Sequence, residues 1–290
     1  MVSFGLAVDV GAPFPELIER ARTGEELGFE TVYVPDHSRP WRHDPIPGGL
    51  WFDGWTVLSA FAAATSRVRV GTLVSNPVLR PPGLLVRQAL AVDHLSSGRL
   101  QLGIGTGMPV STSEATATPY WPLADRLARF REYVVFVDAA LRSESEFTAT
   151  GEFFAGRLTG LPEPVQVPRP PITVAGASKG VRAVAVERAE CWNTHGAFGV
   201  PPEDLVDHLS TLNVDVSARC EAAGRDPSEL RRSVLLLQSL SPWARPRRLA
   251  ELVDLLSGIG FEELVVFWPW NDDDRRVFED EATQIASLAG

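Results

Sequence analysis

Short β-branched runs alternate with amphipathic stretches along most of this chain. Repeated switching between a two-residue and a 3.6-residue hydrophobic period is the mark of βα units. Eight strands are predicted, at Val2–Asp9, Thr31–Pro35, Val68–Val74, Arg99–Gly105, Ile172–Ala175, Cys191–His195, Ser233–Ser239 and Glu263–Trp268. Helices follow near Pro15–Leu27, Trp55–Thr65, Gly83–Leu95, Pro122–Leu141, Ser178–Arg188, Pro202–Ala223, Pro246–Leu256 and Asp272–Leu288. Several begin with Pro or with Asp or Ser, the residues that suit a helix N-terminus. Leu27-Gly28-Phe29-Glu30 leads into one strand and Ile259-Gly260-Phe261-Glu262 into another. In both, the glycine can take the left-handed conformation that ends a helix. Eight equivalent units, with no G-x-G-x-x-G opening the first helix, predict a closed (β/α)8 TIM barrel rather than an open doubly wound sheet. The expected domain is one, spanning residues 1–290.

Three connections are too long for simple turns: residues 36–54, 106–121 and 143–171. Long loops in compact domains tend to be lids or binding loops. The first two follow strands directly, which puts them at the C-terminal mouth where barrel enzymes work. The third precedes a strand, and Phe147, Phe153 and Phe154 in it suggest a small hairpin.

Composition narrows the function classes. The 290 residues are 44% hydrophobic, with a net charge of −10. That charge argues against nucleic acid or an anionic membrane as partner, so an anionic ligand must meet a local positive site. No apolar run approaches the roughly 20 residues that span a bilayer. The N-terminus has no basic region before its apolar stretch, and Asp9 interrupts that stretch, so no signal peptide is expected. Cys191 and Cys220 have no metal-ligand spacing and read as buried thiols of a reducing compartment, with the cytoplasm as the expected location. Among 27 basic residues the only lysine is Lys179, set between Ser178 and Gly180.

Candidate chemistry collects at strand ends. His37 follows the second strand beside Asp36, where an imidazole can act as acid, base or donor near neutral pH. His195 ends the sixth predicted strand and is a second mouth residue. Ala175-Gly176-Ala177-Ser178-Lys179-Gly180 leads from the fifth strand into a helix. Backbone N–H groups at a helix start bind phosphate readily, and Lys179 adds charge. The plainer reading of the same stretch is a Ser178 N-cap with an exposed lysine. Arg87, Asp93 and His94 read as structural, on a helix packed around the barrel.

The stretch from Gly71 to Arg99 adds a family likeness. Gly71-Thr72-Leu73-Val74, then Asp93-His94-Leu95-Ser96-Ser97-Gly98-Arg99, then Gly103-Ile104-Gly105-Thr106-Gly107 occur in order. Gln166-Val167-Pro168-Arg169-Pro170-Pro171-Ile172 and Ala189-Glu190-Cys191-Trp192-Asn193 follow. In these motifs, from about Phe4 to Trp268, the chain resembles the luciferase-like monooxygenase superfamily. The resemblance implies a non-prolyl cis peptide at Leu73-Val74, in a bulge supporting a flavin or deazaflavin ring. It implies that Thr106 and Gly107 approach the pyrimidine edge of that ring. Asp36 and Asn76 fall to the cofactor site as well, and Gly176, Ala177, Ser178, Lys179 and Gly180 to its phosphate.

The Asp36-His37 pair looks like the branch that uses coenzyme F420 for hydride transfer, with His37 catalytic. The alternative cofactor is FMN, in an oxygen-using two-component monooxygenase. Sugar-phosphate-oxidising relatives place a glutamate after the Thr-Gly, where this chain has Met108; a less polar small-molecule substrate is therefore expected. The resemblance also implies a homodimer. A remote rival is a Schiff-base aldolase with Lys179 as nucleophile, and another is a flavin-binding barrel without catalysis. No metal ligand set is seen.

Overall fold

A computed structural model describes residues 2–40, 49–107, 109–195, 204–237, 242–245 and 247–285. Trp41, His43 and Met108 lie outside the described residues, as do the ends of the helices expected to begin at Pro202 and Pro246 and to run to Leu288. The N-terminal half runs β1 (Ser3–Ala7), α1 (Phe14–Glu26), β2 (Thr31–Val34), α2 (Gly54–Ala64), β3 (Arg69–Thr72), α3 (Pro82–Leu95) and β4 (Leu100–Gly105). After it come α4 (Pro109–Thr116), α5 (Leu123–Leu141) and the strands β5 (Glu146–Thr150) and β6 (Ala155–Thr159). The remainder is β7 (Ile172–Ala175), α6 (Lys179–Arg188), β8 (Cys191–Thr194), α7 (Leu205–Ala222), β9 (Arg231–Leu235), α8 (Arg248–Gly258), β10 (Glu263–Phe267) and α9 (Asp272–Glu281).

The eight strands predicted from hydrophobic runs close into one parallel barrel in the order β1-β10-β9-β8-β7-β4-β3-β2. Closure pairs the two ends of the chain, from Ser3 with Glu263 through to Ala7 with Phe267. Both faces of these strands are covered, so β4 is buried at every position; that is why the strands read as continuous apolar runs. Gly28 and Gly260 adopt φ of 85° and 90°, as the repeated helix–Gly–strand joint predicts. Asp53 caps α2 by accepting from Thr56 N–H at 2.9 Å, and Ser178 caps α6. No helix among the described residues is long and apolar enough to cross a membrane. Cys191 and Cys220 are both buried and free.

The connection over residues 143–171 does fold as a hairpin, with β5 and β6 antiparallel. It packs outside the barrel wall, on α3 and α5. Phe147 meets Phe136 edge-on at 4.9 Å, and Phe154 meets Tyr133 at 5.5 Å. Asp93, expected to be structural, accepts from Val165 N–H at 2.8 Å and Gln166 N–H at 3.2 Å. Arg87 donates to the Thr159 carbonyl at 2.9 Å, and His94 Nε2 lies 2.8 Å from the Glu163 carbonyl. The connection over residues 106–121 contains α4, which the hydrophobic pattern does not announce. Its sequence, PVSTSEAT, has almost no apolar period, and periodicity is the main signal from which a helix is read.

The loops at the mouth are tied by one buried ion pair. Asp36, just past β2, receives Arg80 Nη2 at 2.8 Å and Nε at 3.2 Å, plus the Asn76 N–H at 3.1 Å. Arg80 also pairs with Asp53, the cap of α2, while Tyr133 of α5 donates to the Arg80 carbonyl at 2.8 Å. Taking away one partner leaves the other charge buried and alone, which typically costs about 3–5 kcal/mol. Arg80→Gln is therefore expected to lose stability on that scale in denaturant unfolding. The double variant Asp36→Asn with Arg80→Gln should recover much of the loss, because the only carboxylate then left without its arginine is the solvent-exposed Asp53. A double variant no more stable than Arg80→Gln would show that the pair contributes by packing and not by charge.

Candidate active site

A cavity of about 320 Å³ opens at the C-terminal ends of the barrel strands. Its walls come from almost every strand. Ala7 stands at the end of β1, Tyr33, Val34, Pro35 and His37 at and beyond β2, and Leu73, Val74 and Asn76 after β3. Gly105, Thr106 and Gly107 end β4, Ala175 and Gly176 end β7, and Asn193, Thr194 and His195 end β8. Leu235, Leu237 and Phe267 complete the ring from β9 and β10. Side chains alternate inward and outward along each strand, so it is the last inward-facing residues that reach the mouth.

His37 sits with its ring half-buried, and its Nδ1 is buried without a hydrogen-bond partner among the described residues. Burial lowers its pKa below the ordinary histidine value, and the nearby Asp36 charge only partly opposes this. The imidazole is accordingly neutral at neutral pH and can accept a proton. Its backbone carbonyl accepts from Trp51 Nε1 at 2.9 Å, which fixes the loop that bears it. Asp36 itself does not line the cavity, because its carboxylate is turned to Arg80 and Asn76. Its part is to hold those segments in place. His195, across the mouth, also has its pKa lowered by burial.

The bulge after β3 brings Leu73 and Val74 together at the wall, and the peptide between them is cis, as the family likeness implies. A buried polar ladder stands behind it. Trp55 Nε1 donates to Ser75 Oγ at 3.1 Å, Ser75 Oγ to Thr72 Oγ1 at 3.0 Å, and Thr72 Oγ1 to the Gly103 carbonyl at 2.9 Å. Gly107 adopts φ of 77°, and a Cβ there would collide with Asn76 Oδ1. The Asn76 side chain can thus lie against the Gly107 backbone only because position 107 carries no side chain.

The stretch from Gly176 into α6 divides. Gly176 lines the cavity, its N–H bonded to the Asn193 carbonyl at 3.0 Å and its carbonyl accepting from Trp192 Nε1 at 2.9 Å. Ala177, Ser178, Lys179 and Gly180 follow at the start of α6 and do not line it. Ser178 Oγ is engaged with Val181 N–H at 3.4 Å. Lys179 is exposed. A Schiff-base lysine needs a desolvated amine inside the barrel, which this position does not offer.

Several wall residues escaped the sequence reading, Tyr33, Asn193, Thr194 and Phe267 among them. Tyr33 floors the cavity and donates its hydroxyl to the buried Glu263 at 3.0 Å. Asn193 is buried and donates to Ser233 Oγ at 2.8 Å. Thr194 and Phe267 stand at the ends of β8 and β10. Their strands were predicted, and the end position on a strand is the signal that could have found them. Among the described residues no group of three or more His, Cys, Asp and Glu could hold a metal ion.

With this geometry established, comparison with known proteins is informative. The sequence profile of the luciferase-like monooxygenase family matches residues 2–242. The F420-dependent glucose-6-phosphate dehydrogenase of Beutenbergia cavernae is 34% identical over 169 residues, 58% of this chain and 48% of that protein. The protein of the same name from Kineococcus radiotolerans is 32% identical over 226 residues, covering 76% and 62% of the two chains. The chain thus spans about half to three fifths of the length of these relatives. The coenzyme F420-dependent tetrahydromethanopterin reductase of Methanopyrus kandleri superposes with a TM-score of 0.78 over 100% of this chain and 99% of that one. At 14% identity this last likeness concerns the fold. Strand order, bulge and sequence profile agree: the chain belongs to the luciferase-like monooxygenase family.

Proposed function

We propose that this protein is an F420-dependent oxidoreductase that moves a hydride between the deazaflavin and a small, fairly apolar organic substrate. The observation that carries the reading is the half-buried His37 on the wall of a strand-end cavity that also contains Leu73-Val74 and Thr106-Gly107. These residues fit a flat heterocycle: aliphatic side chains on one wall, a side-chain-free edge at Gly107, and a neutral imidazole. Leu73 and Val74 would support the ring face. Thr106, Gly107 and Asn76 would meet its polar edge. Gly176 and the backbone of Ala177, Ser178, Lys179 and Gly180 would take the phosphate.

When bound, the deazaflavin supplies a carbon that gives or accepts a hydride. The protein contributes alignment, exclusion of water and proton transfer. Neutral His37 accepts the proton that a substrate hydroxyl sheds on oxidation; in the reverse direction the protonated ring returns it. The wall residues from β9 and β10 are Leu235, Leu237 and Phe267. They, and Met108 in place of the glutamate of sugar-phosphate-oxidising relatives, support a less polar substrate than glucose 6-phosphate. A homodimer is the assembly that goes with this reading, and size-exclusion chromatography checks it.

The primary test is a fluorescence titration of the purified protein with oxidised F420 and, in parallel, with FMN. Tight F420 binding with FMN at least tenfold weaker is expected. The reverse preference, particularly for reduced FMN, would make the protein an oxygen-using monooxygenase. With an alcohol substrate in hand, His37→Ala is expected to lower kcat by roughly 10²–10⁴-fold, the usual range for a general acid or base. F420 affinity should stay within a few fold, and a variant that keeps its turnover while losing affinity would assign His37 to binding.

The pH response follows from the lowered pKa of His37. Alcohol oxidation should be flat across neutral pH and fall only in acid, with a midpoint below the ordinary histidine value of about 6.5. The sign is that of a base that must be unprotonated. An acid limb that persists unchanged in His37→Ala would belong to another group.

A further inference from the structure

Beside the mouth lies a second cavity of about 200 Å³ that shares Thr106 with the first. Most of it is apolar, with Pro77, Pro82 and Phe154 among its walls, but two arginines of α5 also line it. Arg126 and Arg129 are three residues apart and so share one helix face. In each, Nε is buried without a hydrogen-bond partner among the described residues. Neither makes a hydrogen bond or ion pair with any described residue; their contacts are with rings. The Arg129 guanidinium lies 4.3 Å from the centre of Trp121 and 4.6 Å from that of Phe153, and Arg126 lies 5.7 Å from Tyr120.

This is unusual for its setting. The chain has 37 acidic residues against 27 basic ones, and its other enclosed arginines are engaged. Arg80 and Arg169 pair with carboxylates, Arg182 pairs with Asp215, and Arg99 donates to four carbonyls. Among the described residues no carboxylate lines the second cavity. Aromatic rings hold a guanidinium flat without consuming its N–H groups. An arginine held that way can present its planar pair of Nη groups to a carboxylate.

We propose that the side cavity is a carboxylate-binding pocket for an aromatic or short aliphatic acid, with Arg126 and Arg129 taking the acid group and the apolar walls its body. Because Thr106 belongs to both cavities, a molecule anchored there extends toward the cavity that holds His37. That the acid is an arm of the substrate rests on the reading above; that the cavity binds it does not.

The test is isothermal titration calorimetry of the cofactor-free protein with benzoate and with its neutral isostere benzamide. Saturable benzoate binding, at least tenfold tighter than benzamide, is expected in the unaltered protein. In the double variant Arg126→Gln with Arg129→Gln that preference should vanish, while the melting temperature confirms the variant is folded. Arg129→Lys keeps the charge without the planar pair and should retain part of the preference. Equal affinities for the two probes, absence of saturation, or a preference that survives the double substitution would overturn the proposal. Failure of the F420 titration would remove the oxidoreductase reading and leave the acid pocket standing, and the converse holds as well.

Discussion

The carboxylate of Asp36 is the constraint on which the mouth of this barrel depends. It is buried at the end of β2 and must be neutralised there, because an isolated charge in such surroundings is very costly. Arg80 neutralises it with two N–H groups, and the Asn76 N–H adds a third bond. To make those bonds, the segment after β3 has to fold back toward β2. That return presents Leu73 and Val74 to the cavity and puts Asn76 against Gly107. The same arginine reaches Asp53 at the start of α2, and its carbonyl holds Tyr133 of α5. One charge pair thereby fixes the relative positions of three loops.

His37 gains its chemistry from the same arrangement. It is Asp36's neighbour in sequence but not its hydrogen-bond partner, since three bonds commit the carboxylate to Arg80 and Asn76. The imidazole feels the aspartate only through space, and burial dominates, holding the ring neutral. A carboxylate bonded to Nδ1 would favour the charged form and occupy the nitrogen. Committing Asp36 elsewhere leaves a neutral ring on the cavity wall, and a neutral imidazole is what a proton acceptor requires.

The two arginines of the side cavity show the opposite management of charge. Arg80 is neutralised by carboxylates, whereas among the described residues Arg126 and Arg129 meet aromatic rings and no acid partner. In a protein of net charge −10, a local positive site free of carboxylates stands out against the overall field. It adjoins the mouth, where an approaching anion would be retained rather than repelled.

The sequence by itself determined the barrel. Eight apolar runs, their helices and the glycine joints at Gly28 and Gly260 are local signals, set by backbone sterics and by which faces must be buried. His37 and His195 were legible because each sits where a strand ends, and strand ends meet at the mouth; Leu73-Val74 and Thr106-Gly107 came from the family likeness, and Gly176 from the stretch that leads a strand into a helix. Helix α4 was not legible, since a polar helix leaves no apolar period. Tertiary structure alone decided the rest. Closure of β1 on β10 brings Phe267 to face residues from the first strands. It also decided that Asp36 is given to Arg80, that Ala177 to Gly180 stand outside the cavity lining, and that Arg126 and Arg129 form no ion pair among the described residues. Those outcomes depend on distances between residues far apart in the chain, and neither hydrophobic period nor motif spacing encodes such distances.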